Sequence, residues 1–390
     1  MKILQVLDSY PPDLNGGAYF THRLSKQLTE MGHDVLVICP SRSRMSHDDE
    51  YEGVRLFRVQ SYPALLYGNF RICLPFRIGQ AIEKVLDEFS PDVVHLQGRF
   101  VLGAICMRYA QVRHIPMVAT NHFMPENFFH YTGLPGFMRD RFSRAAWRWV
   151  KNMFDMAQIW TTPTQSAADL LRANGFVEKP IHAISCGIDL TRFQPRENNS
   201  NSLPFLPHST APTLLYAGRL DKEKNIPVIL RAFQLVRRQR TCRLVIVGDG
   251  AEKMRLMALV RGLGLENDVI FCGYLSDEDY PLIFGVADCF VHAGTAELQS
   301  IVTLEAVASG LPVVAARAVA LPELVRHGEN GFVFEPFDEC GAEGFILNIL
   351  DNPELASQMR QESLKISREH DLRATGQKFT DLYQQLVTHA

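Results

Sequence analysis

Two acids in one short segment are the most informative side chains in the chain. In HAGTAELQSIVTLEAVASGLPVVAA, residues 292–316, Glu297 falls in a loop and Glu305 lies eight residues on, inside a helix expected over about 300–309. At about 100° per residue that step leaves about 80° modulo a turn, so both acids can serve one ligand approached from the helix start. The free N–H groups of that start, near Gln299, Ser300 and Ile301, make an anion site. Each acid has a plainer reading, Glu297 as a surface loop residue and Glu305 as a partly exposed helix position. Glu305 between Leu304 and Ala306 in an apolar helix fits the plainer reading less well.

Other segments could handle phosphate. AGRLDKEKN, residues 217–225, places Arg219 and Lys224 on one strand-to-helix loop, where an Arg fork and a Lys point charge can clamp a diphosphate, or simply make a solvated turn. PPDLNGGA, residues 11–18, sets Gly16 and Gly17 before a helix, either as a phosphate loop or as a tight turn. VGDG, residues 247–250, holds Gly248, Asp249 and Gly250 after a strand but lacks the third glycine of a dinucleotide fingerprint. Asp277-Glu278-Asp279 has the form of a D-x-D metal motif. Ser276 before it instead reads as an N-cap opening a helix over 277–286. His122, in VATNHFMPEN, follows a strand ending near Thr120.

The elements that must position these residues follow a βαβ rhythm. Apolar runs at 3–7, 34–39, 92–96 and 116–120 read as strands of a parallel sheet covered on both faces. The rhythm breaks at 196–212, RENNSNSLPFLPHSTAP, expected as a linker, and restarts at 213–218, 243–250, 268–273, 288–293, 312–316 and 331–335. Two α/β domains are therefore expected, 1–197 and 198–369. Residues 353–390 read as helices, with Phe379, Leu382, Tyr383 and Leu386 at helical spacing for packing. In open parallel sheets ligands bind beyond the carboxyl ends of strands, so the loops that follow these strands are where chemistry is expected.

Composition narrows the class. With 46% hydrophobic and 21% charged residues the chain is a folded one, and a net charge of −3 argues against nucleic acid as partner. The eight cysteines are scattered without a C-x-x-C pair and read as buried thiols of a reducing cytosol. MKILQVLDSYPP is too short an apolar start for a signal peptide, and no run approaches the roughly 18 residues of a membrane span. A cytoplasmic protein is expected. Residues 55–151 nevertheless carry 13 Lys and Arg against six acids, balanced by an acidic remainder. Within them RDRFSRAAWRWVKNMF, residues 139–154, reads either as an interface helix for an anionic membrane or as an ordinary covering helix.

Glu297 and Glu305, followed by A-x-A-S-G-L-P-V-V-A, and the order of Gly16-Gly17, His122, Arg219 with Lys224, and Gly248-Asp249-Gly250 resemble the retaining family 4 glycosyltransferases over nearly the whole chain. The resemblance implies a GT-B architecture of two facing Rossmann-like domains, with a C-terminal helix, about 370–390, crossing back to the first. It implies that Arg219 and Lys224 hold a diphosphate, Glu305 the ribose hydroxyls and Glu297 the transferred sugar. The Gly16-Gly17 loop would approach the phosphate, backbone groups near Tyr274 and Leu275 would hold the base, and His122 would reach the sugar. Where the family commonly has glycine this chain has Ser300, read here as an N-cap.

The expected function is transfer of a hexosyl group from a UDP- or GDP-linked sugar to an acceptor hydroxyl, with retention and without a metal or other cofactor. TNHFMPENFFHY resembles the region of family members that glycosylate diacylglycerol or other membrane lipids, so a lipid acceptor is expected, a glycan being the other class, and with it peripheral attachment to the inner face of the cell membrane. The competing readings are a nucleotide-sugar 2-epimerase of the same fold and a non-catalytic sugar-nucleotide-binding protein.

Overall fold

The computed structural model describes residues 1–12, 16–63, 71–98, 101–125, 136–196 and 203–389. The chain forms two compact units, one of Met1–Pro125, Pro135–Gly187 and Leu372–Ala390, the other of Ile188–Asp371. The division falls after Gly187 rather than at 197/198. Leu203 and Leu206, in the stretch expected as a linker, are buried with Ile188 and Phe193 in the second core. Two buried leucines thus outweigh a polar Asn, Ser and Pro composition there.

In the first unit the described residues form an eight-stranded sheet in the order β10-β9-β8-β7-β1-β2-β4-β3. These are β1 (Lys2–Val6), β2 (Asp34–Pro40), β3 (His47–Tyr51), β4 (Val54–Val59), β7 (Val93–Leu96), β8 (Met117–Thr120), β9 (Ile159–Thr162) and β10 (Ile181–Ala183), with β5 (Tyr62–Pro63) and β6 (Arg71–Ile72) as a separate ribbon. All pairs in the large sheet are parallel except β3 with β4. Helix Leu372–Thr388 belongs to this unit and buries Phe379, Leu382 and Tyr383.

In the second unit the described residues form a six-stranded parallel sheet in the order β13-β12-β11-β14-β15-β16. Its strands are β11 (Thr213–Ala217), β12 (Arg243–Val247), β13 (Val269–Gly273), β14 (Cys289–His292), β15 (Val313–Ala316) and β16 (Gly331–Phe334). β11, β12, β14 and β15 are buried along their whole length, which is why they read as unbroken apolar runs. The strand order reverses at β11, so the loops after β11 and β14 flank the position where open α/β sheets bind ligands. No disulfide forms among the cysteines, and Cys340 is exposed, contrary to the expectation of buried thiols throughout.

Candidate functional site

Four neighbouring strands of the second unit bring most of the candidates to one rim. β11 ends in Gly218 and Arg219, β12 in Gly248 and Asp249, β13 in Tyr274 and Leu275, and β14 in the loop carrying Glu297. The first two loops are zipped together, with Leu220 N donating to Asp249 O at 2.9 Å and Glu252 N to Leu220 O at 2.9 Å. Gly248 sits at φ +124°, and a Cβ there would lie 2.0 Å from Gly218 O, so only glycine lets the two backbones approach. Asp249 faces outward and pairs with Lys253 at 2.6 Å. Tyr274 is exposed and Leu275 buried.

The loop after β11 continues into a single turn, Lys222–Lys224, whose next residue, Asn225, adopts φ 49°. Asn225 Nδ2 donates to Ala293 O at 3.2 Å and to Thr295 Oγ1 at 3.1 Å, tying this turn to the loop after β14. Arg219 lies at the surface of this turn, its fork shared by Asp221 at 2.6 Å and Glu223 at 2.9 Å. Lys224 turns inward instead and places Nζ 2.5 Å from Glu297 Oε1, so the two residues stand together in a largely buried pair. His292 Nε2 donates to the same oxygen at 3.1 Å. Burial alone would raise the Glu297 carboxyl, but the Lys224 ammonium and His292 outweigh it and hold the group well below the usual carboxylate range.

Ser300 caps helix Ile301–Ala308, its side chain accepting from Thr303 N. That is the role expected of it. Gln299 and Ser300 are buried at the start of this helix. Glu305 is buried on it, 3% exposed, and accepts a hydrogen bond from the Tyr280 hydroxyl at 2.8 Å. The helix expected over 277–286 begins only at Tyr280 and ends at Gly285. The reason is a closed turn ahead of it, in which Ser276 Oγ donates to Asp279 Oδ2 at 2.8 Å and accepts from Asp279 N at 3.0 Å. Asp277 pairs with Arg192.

His292 and Tyr280 were not among the expected site residues. A legible signal existed for His292, a polar residue closing an otherwise apolar parallel strand at its carboxyl end. For Tyr280 the corresponding signal was an aromatic hydroxyl opening a helix just past the β13 rim.

The first unit holds the remaining candidates. Gly16 and Gly17 open helix Gly16–Glu30, where Gly17 O accepts from Thr21 Oγ1 at 2.8 Å. His122 follows β8, and its Nε2 lies 2.8 Å from Gln97 Oε1. With that oxygen as acceptor, Nε2 carries the proton and Nδ1 the lone pair. Gln97 Nε2 donates to Gln5 Oε1 at 3.0 Å and points at His95 Nδ1 at 3.2 Å. The Tyr383 hydroxyl lies 2.6 Å from the same His95 nitrogen, and His95 Nε2 lies 2.6 Å from Thr120 Oγ1. A buried polar chain therefore runs from helix Leu372–Thr388 to His122. Burial pushes the His122 imidazole down to about 4 and holds His95 well below its ordinary range, so both rings are neutral at pH 7.

Helix Gly136–Phe154 buries Trp147, Val150 and Phe154 against the first core and leaves Phe142 and Trp149 exposed, 52% and 46%. Arg141, Arg144 and Arg148 are exposed around them. This is a covering helix with a mixed basic and aromatic outer face. The second half of TNHFMPENFFHY, residues 126–131, lies outside the described residues. Among the described residues no helix is long and apolar enough to cross a membrane.

Known proteins agree with this layout. The description "Glycosyltransferase Family 4" matches residues 14–192 and "Glycosyl transferases group 1" residues 200–365. A GDP-mannose-dependent alpha-mannosyltransferase of Corynebacterium glutamicum is 28% identical over 87% of this chain and 78% of its own length. An alpha-monoglucosyldiacylglycerol synthase of Streptococcus pneumoniae is 26% identical over 95% and 83%. The solved sucrose-phosphate synthase from Thermosynechococcus elongatus superposes with a TM-score of 0.81 at 19% identity, covering 100% of both chains. Anabaena HepE in complex with UDP and glucose superposes at 0.80 with 19% identity, covering 99% of this chain and 100% of that one. Two parallel-sheet Rossmann-like units of this kind make the GT-B fold, and the chain belongs to glycosyltransferase family 4.

Proposed function

We propose that the chain transfers a hexosyl group from a UDP- or GDP-linked sugar to an acceptor hydroxyl, with retention at the anomeric carbon and without a metal ion. The observation that carries this reading is the gathering of Arg219, Lys224, Glu297, Glu305 and the capped start of helix Ile301–Ala308 at the rim of β11 and β14. A leaving nucleoside diphosphate develops negative charge as the C1–O bond to phosphate breaks. Lys224, Arg219 and the helix N–H groups supply positive potential for that charge. The acceptor oxygen bonds to C1 on the same face and its proton passes to the departing phosphate oxygen, so no carboxylate nucleophile is needed. Glu305 takes the ribose hydroxyls and Glu297 the sugar hydroxyls. Backbone near Tyr274 and Leu275 takes the base, with Gly248 giving the chain room beside it.

The first unit takes the acceptor. His122 is neutral and hydrogen-bonded through Nε2, so its Nδ1 can accept from a substrate hydroxyl, and Gly16-Gly17 supply N–H groups to phosphate. The basic, aromatic outer face of helix Gly136–Phe154 and the likeness to a monoglucosyldiacylglycerol synthase favour a membrane lipid as acceptor and a peripheral position on an anionic bilayer. The test is a thermal-shift screen of UDP- and GDP-sugars, followed by mass spectrometry of products made from lipid extract. A sugar-bearing lipid formed by the wild type and lost in Lys224→Ala supports the reading, and near-wild-type turnover in that variant removes the site. Flotation with anionic liposomes at low salt, weakening as salt rises, checks the membrane part.

A further inference from the structure

His292 closes β14 with its side chain fully buried, and the reading above gives it no work. Its Nε2 lies 3.1 Å from Glu297 Oε1, and because a carboxylate only accepts, Nε2 carries the proton. Nδ1 then holds a lone pair, and it is buried without a hydrogen-bond partner. Such orphans are rare and costly, and an apolar ring would fill the same space without one. A proton on Nδ1 would be a buried donor with no acceptor in reach, so the geometry places the lone pair there and the N–H on Nε2. Its plane is set by neighbours. Tyr216 lies nearly parallel to it, 4° off at 6.0 Å between centroids, and Phe290 lies 10° off at 6.3 Å.

The turn after the strand is shaped around the same bond. A Cβ on Gly294 would stand 2.8 Å from His292 Nε2 and 3.0 Å from Glu297 Oε1. Lys224 also reaches Glu297 on Oε1, and the Tyr216 hydroxyl, at the end of β11, donates to Arg219 O at 3.0 Å. Oε1 is thus held twice, and Oε2 is the oxygen that neither bond uses.

We infer that His292 is a positioning residue, whose Nε2–H holds Glu297 Oε1 when Lys224 engages a substrate diphosphate, leaving Oε2 to accept from a hydroxyl of the transferred sugar. The inference rests on the transferase reading for Lys224 and for the sugar. It separates the sugar from the nucleotide, since His292 serves only the former.

The experiment compares wild type, His292→Phe and His292→Gln by calorimetry with UDP-glucose and GDP-mannose against UDP and GDP alone. Phe removes the donor, whereas the Gln amide can still donate. For whichever nucleotide the wild type binds, His292→Phe is expected to lose on the order of 10- to 100-fold in affinity for the sugar nucleotide and less than about 2-fold for the bare nucleotide. His292→Gln recovers most of that loss. Equal losses for nucleotide and sugar nucleotide, or no rescue by Gln, overturn the inference. Nitrogen NMR of the histidines in the wild type supplies an arm independent of ligands, with Nε2 protonated and Nδ1 bare at neutral pH. A wild type that binds none of the four probes sinks the transferase reading, and with it the sugar role of Glu297. A proton on Nδ1 sinks the inference by itself.

Discussion

Lys224 Nζ stands 2.5 Å from Glu297 Oε1, and the two side chains are only 16% and 11% exposed. The bond joins the turn after β11 to the loop after β14, so the residues expected to meet the diphosphate and the sugar are held as one ion pair across the point where the strand order reverses. At such burial the pair is sensitive to the loss of either partner, because the survivor keeps a desolvated charge.

Replacing Lys224 by Met therefore strands the Glu297 carboxylate. Denaturant unfolding should show a loss of about 3 kcal/mol for Lys224→Met, part of which returns in the Lys224→Met/Glu297→Gln double variant. Both variants should lose about 100-fold or more in turnover. Additive stability effects would show that the pair is not coupled.

Glu305 is expected to act on the donor while contributing little else. Glu305→Ala should abolish transfer with a native circular dichroism spectrum. Tyr280→Phe removes one hydrogen bond to that carboxylate and should raise the donor KM about 5- to 10-fold with stability changed by about 1 kcal/mol or less. An unchanged donor KM in Tyr280→Phe would detach the hydroxyl from donor binding.

Gly248→Ala tests the close backbone approach. Its Cβ would fall 2.0 Å from Gly218 O, and no side-chain rotation relieves a backbone clash. The variant should unfold at lower denaturant, by about 2–4 kcal/mol, and lose donor binding as the β11 and β12 loops separate.

Acid should destabilise the first unit through its buried imidazoles. His122 is pushed down to about 4 and His95 well below its ordinary range, both by burial. The unfolded chain therefore binds more protons than the native one below about pH 6.5, and stability falls as pH falls. Their contribution is complete above about pH 6.5 and is lost progressively down to about pH 4, on the order of 2–3 kcal/mol for His122. Denaturation curves of wild type and His122→Asn across that window check it: the variant should lose less stability on acidification. A parallel pH dependence in the two proteins would place the acid sensitivity elsewhere.

Much of the fold was legible because parallel strands buried on both faces read as apolar runs, as at residues 213–217 and 243–247, and the cap at Ser300 needed only its neighbour Thr303. Local chemistry singled out Lys224, Glu297 and Glu305, and the structure pairs the first two and buries the third on the helix that follows. It was not legible where partners are distant in sequence. Tyr383 meets His95 across 288 residues, and Tyr280 meets Glu305 from another strand rim. Nor does the spacing of Arg219 and Lys224 reveal that one fork is satisfied at the surface by Asp221 and Glu223 while the other cation turns inward. The unit boundary was missed because Leu203 and Leu206 act through burial, whereas the surrounding composition reads only as polar.

Tyr383 sits on a helix that completes the first unit, yet it is joined to it through the whole of the second. During synthesis Ile188–Asp371 leaves the ribosome as one continuous piece, while the first unit waits for residues 372–388 to bring Tyr383 to His95 and Gln5. The order of completion is then the reverse of the order of translation. A chain stopped after Asp371 would carry a finished second unit and a first unit with an open polar seam.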